Sequence, residues 1–165
     1  MMRYPPIHDL FNKDSYQVFL MQCPAPLPFS FAAHTYLVVN REGVLSRYGV
    51  SQHKAPIPSW FAFHVCGTEC HDYLHKDAKP PTEGVEIFPF LKWFTWQSKV
   101  AGYVGGPLAE RMADFITKSF ISYPYATRYS LPGPNSNTFP AWVLSHFPES
   151  GMRQPWNAVG KSWRP

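Results

Sequence analysis

Residues 133–139, Gly-Pro-Asn-Ser-Asn-Thr-Phe, crowd Asn135, Ser136, Asn137 and Thr138 between a proline–glycine turn and an apolar run. Each of the four is a good helix N-cap, and a helix needs only one. The surplus invites a chemical reading. A helix start offers unpaired N–H groups and the positive end of the macrodipole, and both stabilise a developing anion. A nucleophile placed there has an oxyanion site beside it. The competing reading is that the extra Asn and Thr side chains satisfy the Pro132-Gly-Pro134 turn and nearby strand ends. Lys161, in Ala158-Val-Gly-Lys161, either reaches an anionic ligand or caps the C-terminal tail.

A second concentration of reactive side chains is His64, Cys66, Cys70, His71 and His75. Thiolates and imidazoles are zinc ligands, and His64 and Cys66 share one face if they lie on a strand. The Cys-x3-Cys spacing has no second pair at a suitable distance, however, so no metal is expected. Buried thiols with loop histidines, or a Cys66–Cys70 disulfide in an oxidising compartment, account for the cluster equally well. The chain has no phosphate loop, dinucleotide fingerprint or paired-carboxylate motif, and no cofactor is expected.

The elements that must position these groups can be read from periodicity and punctuation. Strands are expected at Tyr16–Gln22, His34–Val39, Val44–Val50, Trp60–Val65, Val85–Phe90, Lys99–Val104 and Thr127–Leu131, with a turn at Asn40–Gly43. Alternation puts His34, Tyr36 and Val38 on one face and Thr35, Leu37 and Val39 on the other, and one of the faces must be core. A helix follows Gly106, with Pro107 at its first position, Leu108, Met112, Phe115, Ile116 and Phe120 at helical spacing, and an Asp114–Lys118 pair outside; Pro124 stops it. A second helix starts within Ser136–Thr138 and carries Phe139, Trp142, Val143 and Phe147; Pro148 ends it. Residues 1–14 read as a loosely packed arm. Trp60, Trp93, Trp96 and Trp142 are expected in the core, and Trp156 and Trp163 to pack down the tail.

The 165 residues fit one domain. Apolar residues at 45 % and charged residues at 16 % exclude a disordered chain, and eighteen prolines exclude a helical bundle. The net charge is +4, but the basic residues are scattered, so nucleic acid is not an expected partner. No apolar core follows Arg3 and no run approaches a membrane span, so neither a secretory leader nor a spanning helix is expected. Three cysteines are too few for a secreted disulfide framework, and the cytoplasm is the expected location.

Ser122-Tyr-Pro-Tyr125, Gly133–Phe139 and Ala158-Val-Gly-Lys161 resemble the signature of an uncharacterised bacterial family, a domain of unknown function marked by a GPNSNTF box. More distantly, the chain is similar to the circularly permuted papain-like proteins, which include lecithin retinol acyltransferase-like enzymes and cell-wall amidohydrolase relatives. Those carry a His on an early strand and an Asn-Cys-x-x-Phe box at a later helix start. Here His34 stands on the strand and Asn135-Ser-Asn-Thr-Phe139 at the box, with Ser136 where the family has Cys.

The resemblance implies an α+β fold with an antiparallel, partly closed sheet and packed helices. It further implies a hydrolase or acyl transferase with Ser136 as nucleophile and His34 as base. Asn135, Asn137, Thr138 and Tyr36 would then shape the pocket, with the N–H groups of Asn137 and Thr138 as the oxyanion site. A serine cannot ionise as a helix-start cysteine does, so it needs an aligned base. The third residue is open among Tyr36, Tyr48 and His53. The alternatives are a non-catalytic relative that binds a small peptide, amide or lipid-like ligand, and an accessory protein docking in a larger assembly.

Overall fold

Alternation in the early strands is buried on both sides, and this decides the layering. β1 (Tyr16–Pro24) and β2 (Ala33–Arg41) pair antiparallel along their full lengths, with Val18 opposite Val39 and Cys23 opposite His34. Val18, Leu20, Leu37 and Val39 belong to one cluster, and Phe19, Met21, Tyr36 and Val38 to a second; all are fully buried. Both faces of β2 are therefore core, as in strands covered on both sides. The computed structural model describes residues 4–52, 69–88, 91 and 93–163.

β3 (Val44–Val50) returns from β2 through Glu42 and Gly43, at φ 48° and 96°, the positive values that a two-residue hairpin needs. Asn40 Oδ1 accepts the Gly43 N–H at 2.9 Å and closes the turn. The stretch carrying Cys70, His71 and His75 forms a small hairpin, β4 (Glu69–His71) with β5 (Leu74–Lys76). Next come β6 (Glu83–Glu86), β7 (Thr95–Gln97) and β8 (Lys99–Gly105).

The main sheet runs β4-β5-β3-β2-β1-β8, every pairing antiparallel, while β6 and β7 form a separate two-stranded sheet. The main sheet is open, which corrects the expected partial closure. Its two edge strands, β4 and β8, do not pair with each other. The strand expected at Trp60–Val65 lies outside the described residues. Thr127–Leu131 is irregular rather than extended, and its Ser130 N–H is given to Pro134 O at 2.7 Å within the turn.

Helices cover one face. α2 (Pro107–Ser122) follows Gly106, at φ 71°, with Pro107 in its first turn as the spacing predicts. Its Ala109, Met112, Ala113, Ile116 and Phe120 pack with Phe139 and Val143 of α3 (Thr138–His146) onto Leu20, Leu37 and Val39. Each of the larger ones, from Met112 to Val143, contributes about 1.5–3 kcal/mol by burial, and the two alanines less. Asp114 meets Arg41 Nη2 at 3.0 Å across the surface, a pairing the helix pattern alone does not show.

On the opposite face a single turn, α1 (Ile7–Leu10), places Ile7 against Phe19, Met21 and Val38. The part of the expected loose arm that the structure describes, from residue 4 on, is thus pinned to the sheet. Gln17 Nε2 donates to Leu10 O at 2.7 Å, and Asn40 Nδ2 to Asn12 O at 2.7 Å. Among the described residues no helix is long and apolar enough to cross a membrane.

Candidate active site

The site begins where β3 stops covering β2. Pairing between the two strands starts at Leu37 opposite Tyr48, so among the described residues no strand pairs with Ala33–Tyr36 on that edge. The polar box fills it. Thr35 donates its N–H to Asn137 Oδ1 at 2.8 Å, and Asn137 Nδ2 donates to Ala33 O at 2.8 Å. The Thr35 hydroxyl also donates to Asn137 Oδ1, at 2.9 Å, and accepts from Gln154 Nε2 at 2.6 Å.

The neighbouring residues of the box complete the brace. Asn137 Nδ2 reaches Val159 O at 2.8 Å and the Thr138 hydroxyl reaches Gly160 O at 2.9 Å, tying the C-terminal tail to the start of α3. Asn135 Oδ1 accepts the Asn137 N–H at 3.0 Å, and Asn135 Nδ2 donates to Leu131 O at 2.9 Å. Asn135, Ser136, Asn137 and Thr138 are all buried. The surplus of capping side chains is spent on holding a strand, a turn and the tail together.

This brace sets Ser136 against the face of β2 that carries His34. His34 Nδ1 and Ser136 Oγ lie 2.9 Å apart, across 102 residues of sequence. For the serine to donate, Nδ1 must be unprotonated, which places the imidazole proton on Nε2. Burial, followed by the positive charges of Arg47 and Lys79, pulls the His34 pKa down to about 3. The ring is therefore neutral at physiological pH and able to accept a proton at Nδ1. No carboxylate or amide among the described residues bonds its Nε2.

The surroundings of the dyad are cationic and aromatic. Tyr36 lies next to His34 with ring centroids 6.0 Å apart, and the Arg47 guanidinium stacks over the Tyr36 ring at 3.7 Å. Arg47 is held by Pro80 O at 3.2 Å and by Glu83 O, and the Tyr36 hydroxyl by Pro81 O at 2.9 Å. The Tyr129 phenol is on the serine side. Burial raises its pKa, and the Ser136 side chain is near enough to lower it in part. Cys23, opposite His34 in the β1–β2 register, has its thiol pushed up by burial and stays protonated.

Other residues singled out from the sequence have different surroundings. The N–H groups expected to form the oxyanion site are both engaged: that of Asn137 by Asn135 Oδ1, and that of Thr138 by Asn135 O at 3.0 Å. Lys161 Nζ donates to Pro155 O at 2.7 Å. Of the third-residue candidates, Tyr36 keeps its hydroxyl turned to Pro81, Tyr48 lies in the helix-side core, and His53 is outside the described residues. His64 and Cys66 are also outside. Cys70 is disulfide-bonded and so offers no thiolate, and among the described residues no three metal-binding side chains, His71 included, converge.

Reading by residue type missed Gln154, Tyr129 and Arg47. Gln154 Nε2 bridges Thr35 and the carbonyl of Asn137, the latter at 2.8 Å. It lies in an aperiodic tail where no pattern marks it. Arg47 alternates with core residues on β3 and is itself buried, a signal that was present in the strand register. Two surface grooves, of about 520 and 390 Å³, are lined by Gln22, Met152, Arg153 and Trp156 in one case, and by Pro132, Trp156, Lys161 and Trp163 in the other. Neither is lined by His34 or Ser136.

A family model described as "Protein of unknown function (DUF3750)" matches residues 16–163, a span that includes both members of the dyad. No curated protein and no solved structure gives a match.

Proposed function

The chain belongs to the family described as protein of unknown function (DUF3750), and we propose that it is a hydrolase or acyl transferase acting through Ser136 and His34. The observation that carries this reading is the 2.9 Å contact between Ser136 Oγ and His34 Nδ1 at the start of α3. As Oγ attacks a carbonyl carbon, its proton passes to Nδ1. The resulting imidazolium returns that proton to the departing alcohol or amine as the tetrahedral adduct collapses. The acyl group is left as an ester on Ser136. Water or a second acceptor then attacks this ester, giving its proton to His34 and freeing the serine.

With the Asn137 and Thr138 amides engaged by Asn135, the Tyr129 hydroxyl is the donor assigned to the developing oxyanion. The order of strand histidine before helix-start box supports a permuted papain-like reading of the fold. The disulfide at Cys70 supports an oxidising compartment rather than the cytoplasm.

One observation favours a second reading, a non-catalytic relative that binds a peptide, amide or lipid-like group. Arg47 and Lys79 both disfavour the imidazolium that catalysis must form, and among the described residues no acid orients His34. A fluorophosphonate or β-lactone probe separates the two. Labelling of the native chain that disappears in Ser136→Ala supports the enzyme. Absence of labelling, with ligand-induced thermal stabilisation instead, supports the binder.

A further inference from the structure

At the end of the sheet where β1 hands over to β2, three segments meet and leave their apolar tips uncovered. The β1–β2 loop exposes Phe29 and Phe31, which contact one another edge-on at 6.2 Å. The turn joining β6 to β7 exposes Trp93 and Phe94, and the tail exposes Trp156. Trp93 is 91 %, Trp156 86 % and Phe31 71 % accessible, values at odds with the core or tail-packing roles expected of both tryptophans.

The segments are stitched together by Leu27 N–H to Ile87 O at 2.8 Å, Ile87 N–H to Phe94 O at 2.7 Å, Asn157 Nδ2 to Phe31 O at 2.7 Å and Ala33 N–H to Asn157 O at 3.0 Å. The tips thus share one end of the molecule. Scattered exposed apolar side chains need no explanation, but five exposed aromatic rings on loops bonded to one another do.

The charge carried by these segments has one sign. Among their described residues, 25–32, 87–88, 91, 93–94 and 151–163, the charged side chains are Arg153 and Lys161, with no Asp or Glu. Glu83 and Glu86, at the base of the β6–β7 turn, face Lys79 Nζ at 3.9 and 2.7 Å. Arg153 is exposed and has no ion-pair partner among the described residues. Amphipathic aromatic rings flanked by unopposed cations are what the headgroup region of an anionic bilayer accepts, with the rings at the acyl boundary and the cations at the phosphates.

We infer that this end of the molecule, tipped by Phe29, Phe31, Trp93, Phe94 and Trp156, docks on the surface of a membrane containing anionic lipid. The inference does not depend on the dyad being catalytic. If the dyad is catalytic, docking brings it to acyl groups held in a membrane, because His34 lies one residue from the Ala33 link.

Co-sedimentation of the full chain with vesicles of phosphatidylcholine alone, and of phosphatidylcholine with phosphatidylglycerol, tests the inference. The chain pellets with the anionic vesicles, is released by high salt, and pellets far less with the neutral ones. Combining Phe31→Ser, Trp93→Ser and Trp156→Ser lowers the bound fraction at least about tenfold. The native chain supplies an independent reading that needs no variant: brominated acyl chains quench its tryptophan fluorescence. Absence of pelleting or quenching overturns the inference. So does native-like pelleting of the triple variant, or self-association of the native chain that the triple variant abolishes without any vesicle binding. Ser136→Ala binds vesicles as the native chain does, so failure of the dyad leaves this result intact.

Discussion

The side chain of Asn137 does for Thr35 what a neighbouring strand would do: it accepts the Thr35 N–H at 2.8 Å and, on the same carboxamide, donates to the carbonyl of Ala33, two residues before. The contact between Ser136 and His34 depends on this mimicry, because Ser136 directly precedes Asn137 in the chain.

Asn137→Ala is therefore expected to destabilise the fold by about 3–5 kcal/mol, since it leaves the buried Thr35 N–H and the carbonyls of Ala33 and Val159 without partners. Asn137→Asp is expected to be little better, because a carboxylate cannot donate to either carbonyl. Urea denaturation measures both, and a midpoint for Asn137→Ala matching the native protein would show that the carboxamide brace is not formed.

The depressed pKa of His34 gives stability a definite pH dependence. A neutral ring in the fold and an ordinary histidine in the unfolded chain mean that the unfolded state binds more protons between pH about 3 and about 6.5. The His34 contribution is fully present above pH 6.5 and is lost as the pH falls toward 3. His34→Gln, which keeps a polar side chain but does not titrate, is expected to flatten that part of the stability–pH curve. If Ser136 is a nucleophile, its labelling by a probe should show no acid limb near pH 6.5, where an unperturbed histidine would impose one. An acid limb there would show that the ring is more solvated or better paired than its surroundings in the fold imply.

The strands flanking the site were legible where chemistry was local. Asn40–Gly43 marks its own turn, Gly106 and Pro107 mark the start of α2, and Pro124 and Pro148 mark the two helix ends. The register that sets Cys23 beside His34 was not legible, nor was the separation of β6 and β7 from the main sheet, because both are settled by pairing partners distant in sequence. Residue type found Ser136 and a resemblance pointed to His34. What each polar neighbour bonds to was hidden for a physical reason: Asn135, Asn137 and Thr138 take their partners from β2, from the Leu131 turn and from a tail that has no periodicity. Trp93 and Trp156 went astray because aromatic composition does not distinguish a core ring from an exposed one.

Gly160 is expected to tolerate no side chain. It has φ 88°, and a Cβ there would fall 2.6 Å from Asn135 Cγ, in the middle of the brace. Gly151 also has a positive φ, 64°, but nothing within 4 Å of the added atom. Gly151→Ala should cost about 1 kcal/mol from backbone conformation alone. Gly160→Ala should cost several times that and, by displacing Asn135, abolish any labelling of Ser136. Thermal melts of the pair make the comparison, and equal losses would show that the tail does not close on the box as described.

Tyr129→Phe discriminates between the uses of the phenol. As the oxyanion donor, its loss should slow labelling of Ser136 by about 10²-fold while the melting temperature barely moves, because the ring remains. As a packing residue only, its replacement should leave the rate unchanged. The comparison depends on the hydroxyl alone, since burial already keeps the phenol protonated well above neutral pH.

Tyr123→Phe is expected to go the other way. The Tyr123 ring is buried edge-on against Phe139 and Tyr125, at centroid distances of 5.2 and 5.7 Å, and is tilted against Trp142 at 5.3 Å. Its hydroxyl has no hydrogen-bond partner among the described residues, and burial raises its pKa. A buried hydroxyl without a partner loses its hydration and gains nothing in return, whereas the ring packing is the same in phenylalanine. Removing the oxygen should leave stability unchanged or raise it by about 1 kcal/mol. Differential scanning calorimetry of the single variant decides the matter: a fall of several degrees in the melting temperature would mean that the hydroxyl is bonded in solution and that this residue does more than fill the core under α3.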